Sequence, residues 1–535
     1  MSPALEYRRL RAPQLDGEVL LEPSLSQCFP LPLANRNVAE TWASDFFGKS
    51  LTALRSEARR VLLKLATEHT SQYAECNAAS NPDSLIVMTG HQPRLFHPGV
   101  WAKNFAISRF AEKANGVAVQ VIIDNDLMRD HSLRAPTGSL ESPSVAVEPF
   151  DQFQEPLPFE ARYVQDLSTL ETFASRLSKR VHTLIDRPLV ERIWPTVVET
   201  VRSGAPLGLA FAQARHQLER TWGVDTIEVP LSRLCETECF RRFFVYLLCK
   251  GQQLHSAYNR RLGEYRTVNR LRSSAQPLPN LKTNGDWLEA PFWIWTDDDP
   301  TRRACWFRQK GPDIEIGNGT RSWTLTDSMR NPESAIDQLA SNPELQSTRV
   351  RPRALTNTMF LRLIMSDLFV HGIGGAKYDQ ITDLLIQDVI NVPAQQFVML
   401  SQTTWLPVGG RRDSHQDHRR KKQILREMHF HPERFLEDGL AANSQVSCLI
   451  ENKKKWIAKS LDKGERLERH RQIQQANAEL RGFLQEKTEK QRILLRQSEA
   501  ERRAAMILDS REWSYCLFPE AFLKQRLLDL CITHS

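Results

Sequence analysis

The chain has 535 residues, 41% apolar and 25% charged, an ordinary balance that excludes wholesale disorder, a collagen-like repeat and a disulfide miniature. Its formal charge of +7 comes from 71 Lys and Arg against 64 Asp and Glu. The excess is confined to residues 411–510, which hold 23 Lys and Arg against 16 Asp and Glu, so the rest is balanced and a whole-protein nucleic-acid coat is excluded.

At roughly 150 residues per domain the length predicts three or four folding units. The first residues, MSPALEYRRLRAP, hold no apolar core and read as no secretory signal. The longest strongly apolar run, residues 243–249, is far short of the roughly 20 that a membrane helix needs. Nine cysteines lie at irregular spacing without a CxxC pair, which suits a reducing cytoplasm and makes Cys235, Cys239 and Cys249 buried small apolar residues rather than a metal cluster.

Residues 13–36 carry several prolines and read as extended. Phe47, Leu51, Leu54, Ala58, Val61, Leu62 and Leu65 recur at helical spacing and predict one long amphipathic helix over 38–70. Residues 85–88 are an apolar run read as a buried strand, with a turn from Thr89 to Gly99. A helix is expected over 100–114 and a second buried strand over 117–123. Strand, helix and strand, with both strands continuously apolar, predict a parallel βαβ unit. Ligands of such sheets sit at the carboxyl ends of the strands.

Residues 150–285 read as mostly helical. Five of the twelve tryptophans fall in 286–325, in short runs separated by turn signals, which predicts a small antiparallel meander. Residues 357–370 read as helix, with a break at Ile373-Gly374-Gly375, a helix from Tyr378 and a core strand over 397–400. From 451 to 507 there is no proline, and Ile473, Leu480, Lys487 and Leu494 step by seven, which predicts a long coiled-coil helix. The tail from Trp513 to Leu530 reads as strand plus helix packing back on the core. The domains expected are a helical 1–80, a core over 81–410, a basic linker and coiled coil over 411–510, and the tail 511–535.

Four clusters offer chemistry. Gly90, His91 and Gln92, with His97, Gly99 and Lys103, lie between a strand and a helix start, where backbone N–H groups and the helix dipole favour an anion. Asp124, Asp126 and His131 follow the second strand, where carboxylates can hold a ribose, an amine or a metal. Tyr258-Asn259 precedes Glu264-Tyr265-Arg266 on a helix whose positions 258, 262, 265 and 266 share roughly one side, a pattern that more often serves packing. Arg353, then Gly374, Gly375, Lys377 and Tyr378, join a diglycine to a cation at a helix start. His415, His418, His429 and His431 are interleaved with charged residues and read as surface rather than as a zinc site, so no metal is expected.

The order TGHQP, acidic turn, Tyr258-Asn259 with Glu264-Tyr265-Arg266, Arg351-Pro352, Gly374-Gly375 and a long basic helix resembles the cysteine-adding enzymes of bacillithiol biosynthesis over roughly residues 80–530. The resemblance implies an α/β fold with a Rossmann-like core similar to class I aminoacyl-tRNA synthetases, inserted helical and small antiparallel β segments, and a C-terminal coiled coil that forms a homodimer. It implies a ligase joining cysteine to an amine-bearing sugar conjugate, with ATP or ADP as nucleotide. His91, His97, Lys103, Asp124 and Asp126 would be the catalytic set, and Gly90, Gln92, Gly99, His131, Tyr258, Asn259, Arg266, Arg353, Gly374, Gly375, Lys377 and Tyr378 would bind nucleotide or substrate.

Departures from the pattern stand beside it. His97-Pro98-Gly99-Val100 keeps the first His and the Gly of the ATP-binding His-x-Gly-His motif but has Val at its end. The family's Ser-Glu-Asp-His-Asp is Asp124-Asn125-Asp126 here, and its Gly-Gly-Pro-Gly-Glu turn is Gly374-Gly375-Ala376-Lys377. The competing expectations are a non-catalytic dimeric scaffold that keeps the fold, and nucleic-acid binding through the basic helix. The second is weakened by the acidic residues mixed into that helix.

Overall fold

The computed structural model describes residues 5–7, 10–76, 81, 83–408, 414–437, 439, 443–460 and 465–531, without the side chains of 414–416 and 531. The chain divides into two compact units. The first comprises Met1–Ala135, Val147–Trp405 and Arg511–Ser535, and the second Pro136–Ala146 and Leu406–Ser510.

The first unit is mixed α/β. Its elements, in chain order, begin with β1 (Val19–Glu22), α1 (Leu51–Thr70), β2 (Ile86–His91), α2 (Pro98–Lys113), β3 (Val117–Ile122), α3 (Leu207–Thr221), β4 (Ile227–Pro230), α4 (Glu238–Cys249) and α5 (Gly251–Val268). They continue with β5 (Trp287–Thr296), β6 (Arg303–Lys310), β7 (Asp313–Gly317), β8 (Ser322–Leu325), β9 (Thr348–Pro352), β10 (Leu368–His371), α6 (Ile373–Leu385) and β11 (Val398–Gln402).

The central sheet has the order β1-β11-β10-β2-β3-β4. β4, β3, β2, β10 and β11 are mutually parallel, and β1 closes one edge antiparallel to β11. The chain moves outward from β2 through β3 to β4, then returns to the other side of β2 for β10 and β11. The order therefore reverses between β2 and β10. Alternate strand residues feed opposite faces, as the pleat requires. Ile86, Met88, Val119, Val121 and Val229 join the apolar cluster built with Leu54, Ala58 and Leu62 of α1, while α2 packs on β2, β3 and β11. Both faces are thus covered, which is why the parallel strands read as continuous apolar runs.

The tryptophan-rich stretch forms the antiparallel sheet β5-β6-β7-β8, and β9 pairs with the other edge of β5. This meander is the one expected from the sequence, with β9 added from beyond it.

Several expected elements differ. The single helix over 38–70 is two, Leu31–Glu40 and α1, separated by a hairpin whose turn residues Phe47 and Gly48 have φ of 62° and 82°. The supposedly extended 13–36 contributes β1 and short helices. Thr89, Gly90 and His91 stay in β2, so the turn begins at Gln92. The helix read over 357–370 stops at Met365 in a π-helical turn and gives way to β10. Helix α6 begins at Ile373, so Gly374 and Gly375 lie inside its first turn rather than before it. Among the described residues the tail forms helix Glu520–Leu528 and 3-10 turns, but no strand.

The second unit is helical, with α7 (Ser414–Phe430), α8 (Ser444–Ala458), α9 (Arg466–Gly482) and α10 (Gln485–Leu508). α7 packs against α10 and α8 against α9. The helix read over 451–507 is therefore three helices. The heptad step fails where α9 ends at Gly482: Leu480 and Leu484 are buried at the break, while Leu494 is exposed. No helix among the described residues is long and apolar enough to cross a membrane.

Candidate functional site

A crevice of about 730 Å³ opens at the carboxyl edge of the central sheet, beside the point where the strand order reverses. In open parallel sheets the loops on the two sides of such a point diverge and leave room for a ligand. Five chain segments form its walls: Leu10 to Gln14, the start of α2, the start of α6, the end of β11, and Arg511 with Glu512.

The α2 wall is built by local sequence. Pro98 takes the first helical turn, where its missing N–H is not needed. His97 is the N-cap, and its Nδ1 accepts from Gly99 N at 3.1 Å. The ring proton then sits on Nε2. Burial, with Arg511 and Lys103 nearby, pushes the His97 pKa down to about 4, so the imidazole is neutral. Gly99 is required by contact: a Cβ there would lie 2.2 Å from the Gln402 carbonyl oxygen. Lys103, one turn further on, is buried, and its Nζ donates to Gly90 O at 3.2 Å. No carboxylate lies within ion-pair distance of it among the described residues. Burial alone pulls its pKa down to about 8, which leaves it mostly protonated at neutral pH.

The α6 wall starts with Gly372 as an N-cap that supplies no side-chain bond to the first turn. A Cβ built on Gly372 or Gly374 would meet nothing within 4 Å, and both glycines line the crevice at a helix start whose first N–H groups have no intrahelical partner. Gly375 is different: a Cβ would meet His371 Nδ1 at 2.8 Å. Beneath it, His371 Nε2 lies 2.9 Å from Asp379 Oδ2, and Asp379 also accepts from Arg362 and Thr358. This buried network fixes α6 against β10. Lys377 and Arg11 stand exposed at the rim.

Arg511 completes the crevice. Its Nη2 donates to Ser401 Oγ at 3.1 Å and to Gln402 O at 3.2 Å, while its Nη1 is buried without a hydrogen-bond partner among the described residues. The crevice thus carries Lys103, Arg511, Lys377 and Arg11 against Glu512 alone, at two helix N-termini. Such an arrangement holds an anion, with backbone N–H groups and cations acting together.

The acidic cluster lies on the same edge, at the end of β3. Asp124 Oδ1 accepts from Ser232 N at 2.9 Å and Oδ2 from Ser232 Oγ. Burial, reinforced by Glu160, pushes its pKa up to about 7. Asp126 accepts from Arg302 at 2.8 Å and from Gln92 Nε2 at 3.1 Å. Against burial, Arg302 holds this carboxyl below its usual value. Gln92 therefore ties the end of β2 to the end of β3.

The remaining predicted residues hold the frame. Gly90 lies inside β2 and contacts Ile123. His91 is buried, and its Nε2–H donates to Asn104 Oδ1 at 3.1 Å; burial keeps it neutral. The His131 carbonyl accepts from Phe150 N and its ring stands edge-on to Phe153. Asn259 brackets Leu281 with both side-chain atoms, and Arg266 donates to the carbonyls of Ser274, Gln276 and Leu278. Arg353 pairs with Glu289 at 2.6 Å and lies over Trp293. Tyr258 is buried beside Arg353 and Glu289, and burial pushes its phenol up to about 12. Tyr378 is half-buried, with Asp379 and Asp126 next to it. The crevice therefore unites His97, Gly99, Lys103, Gly374 and Lys377, while Tyr258, Asn259, Arg266 and Arg353 stabilise the α5 and meander side. Sequence reading missed Arg511, His371 and Arg302, which carry no local motif, while Asp379 closes the Gly374-Gly375-Ala376-Lys377-Tyr378 run that the sequence singles out. His418 contacts Ser498 and His429 contacts Arg481 within the second unit.

No protein-family model matches the chain, and no curated protein matches it.

Proposed function

We propose that the crevice at the strand-order reversal binds the phosphates of a nucleotide, ATP or ADP, and that the chain is a ligase of the carbon–nitrogen bond-forming kind. One observation carries the nucleotide part: the start of α6 with its open diglycine, the buried and carboxylate-free Lys103, and Arg511, whose Nη1 has no hydrogen-bond partner among the described residues, line one cavity. The parallel order β4-β3-β2-β10-β11 supports a Rossmann-like reading, because doubly wound nucleotide-binding sheets run in that order and bind at that place.

The residues present fit a polyphosphate. Open space at Gly372 and Gly374 lets oxygens approach the backbone, and Lys103 and Arg511 supply charge at the floor. A bound ATP would supply the phosphoryl or adenylyl group that activates the donor's carboxylate. This chain's own residues would bind and orient it: the α6 N–H groups, Lys103 and Arg511 for phosphate, and Lys377 and Arg11 at the rim. The ligase part rests on the resemblance to the cysteine-adding enzymes of bacillithiol biosynthesis, with cysteine as donor and an amine as acceptor. Asp124, Asp126 and Glu160 are the acidic groups on the same edge; Asp126 and Glu160 are paired with Arg302 and Arg351, so an ammonium would take the place of one of these guanidinium groups.

Isothermal titration of the full chain with ATP and ADP tests this reading. Saturable binding weakened roughly tenfold or more by Lys103→Met is expected. Absence of binding, or binding indifferent to Lys103→Met, removes it. Homodimerisation through the C-terminal helices belongs to the same reading, and light scattering of the purified chain checks it.

A further inference from the structure

A second polar cluster lies inside the first unit, and the nucleotide reading does not use it. His216 and Glu219 stand on α3 and Glu228 on β4. All three are fully buried, and one donor atom from each lies within 4.8 Å of the others.

Two carboxylate oxygens of this cluster have no partner. Glu219 Oε1 accepts from Trp101 Nε1, from Asn104 Nδ2 at 2.9 Å and from Arg215; Glu228 Oε1 accepts from Arg215. Glu219 Oε2 and Glu228 Oε2, both inaccessible to solvent, accept no hydrogen bond from any described residue. Buried oxygens left bare mark an absent donor or ion.

The histidine is oriented in the way that metal-binding histidines are. His216 Nε2 faces Thr226 O at 3.1 Å and Thr226 Oγ1 at 3.0 Å. Donating its ring N–H to that carbonyl makes Nδ1 an acceptor, which takes the Tyr73 hydroxyl proton and would exchange that bond for a bound ion. Nδ1 lies 3.8 Å from Glu228 Oε2 and 2.9 Å from the Tyr73 hydroxyl. A ring N–H fixed on a backbone carbonyl, with the other nitrogen beside a bare carboxylate oxygen, is the outer-shell arrangement of a ligating histidine.

We propose that His216 Nδ1, Glu219 Oε2 and Glu228 Oε2 bind a divalent transition-metal ion, with the Tyr73 hydroxyl as a neighbouring oxygen donor. One imidazole and two carboxylates suit Zn²⁺, Mn²⁺ or Fe²⁺; the nitrogen donor argues against Mg²⁺ and Ca²⁺, and the absence of thiolate argues against a soft-metal site. The ion's role is structural. It joins α3 to β4, whose Glu228 N–H also donates to Thr70 Oγ1 at the end of α1. Through Glu219 and Asn104 it supports His91 at the tip of β2.

The test is elemental analysis of the full chain purified without metal-affinity steps, followed by chelation and reloading with Zn²⁺ or Mn²⁺ while the melting temperature is read. The expected result is about one transition-metal ion per chain, a lower melting temperature after chelation, and recovery on reloading. Glu228→Gln and His216→Gln should each retain less than about a tenth of the metal. A chain that contains no such metal and melts unchanged with Zn²⁺ and Mn²⁺ overturns the site. So does a folded Glu228→Gln variant with unaltered metal content. If the variants do not fold, chelation and reloading of the unmodified chain decide between the two outcomes. Nucleotide titration of the same samples is a separate readout, so failure of one proposal does not mimic failure of the other.

Discussion

The Asp379 carboxylate receives the His371 ring at 2.9 Å, which links the last residue of β10 to the second turn of α6 across the diglycine that forms the crevice wall. Asp379 is completely buried, and Arg362 and Thr358 donate to it as well. Burial alone would raise its pKa, but Arg362 and His371 outweigh that and hold it well below the usual carboxylate value. Its contribution to stability is thus fully present above the unfolded pKa and is lost as pH falls through the folded one. Asp379→Asn should destabilise the first unit by about 3 kcal/mol, because the buried Arg362 guanidinium is left with the Asp383 carboxylate alone. Denaturant unfolding at neutral pH measures the loss. The variant should also lose the part of the acid-induced destabilisation that Asp379 causes below about pH 4.

Lys103 makes the anion site pH-dependent near neutrality. Its pKa of about 8 in the folded chain means that the ammonium is lost as pH rises from 7 to 9. ATP affinity should fall over that interval, by roughly tenfold for loss of one charge-assisted contact. Lys103→Arg keeps its charge throughout and should give a flat profile. A titration series at several pH values separates the two; parallel profiles would assign the effect elsewhere.

The turn and helix holding His97, Gly99 and Lys103 were legible because strand, proline-started helix and second strand follow each other within 40 residues and leave a local pattern. The rest of the crevice was less so, for identifiable reasons. β10 has only four residues, and the apolar helical run before it ends in a π-turn at Met365, so its periodicity merges with the helix. β4 is equally short and stands between helices. Arg511 meets Ser401 and Gln402 over a separation of about 110 residues, as does Asp126 with Arg302 over 176, and no local motif encodes such pairings. The heptad step across 473–494 was real in sequence, but Gly482 ends the helix and turns Leu480 and Leu484 inward.

Gly99 should tolerate no side chain. A Cβ would stand 2.2 Å from the Gln402 carbonyl, 2.9 Å from Arg511 Nη2 and 3.0 Å from His97. The carbonyl belongs to the end of a core strand and cannot swing aside, so α2 must move. Gly99→Ala is expected to cost about 1–3 kcal/mol of stability and to weaken ATP binding through displacement of Lys103 and Arg511. Gly374→Ala, with nothing within 4 Å of its Cβ, is the matched control and should remain as stable as the unmodified chain. Thermal unfolding of the two variants side by side makes the comparison.

Asp124 predicts a stability change of the opposite sign to that of Asp379. Burial and the neighbouring Glu160 push its pKa up to about 7, whereas the unfolded carboxyl titrates near its ordinary value of 3.8. Between these values the folded chain holds a proton that the unfolded chain has released, so this group makes stability fall as pH rises from about 4 to 7, after which the loss is constant. Asp124→Asn keeps the shape and an acceptor for Ser232 while removing the titration. The variant should match the unmodified chain near pH 4 and exceed it at pH 8 by an amount of the order of 4 kcal/mol. Denaturant unfolding at the two pH values decides it: an Asn variant that is less stable at pH 8 would mean that Asp124 is ionised and held by Ser232 and Arg351, not kept neutral by burial.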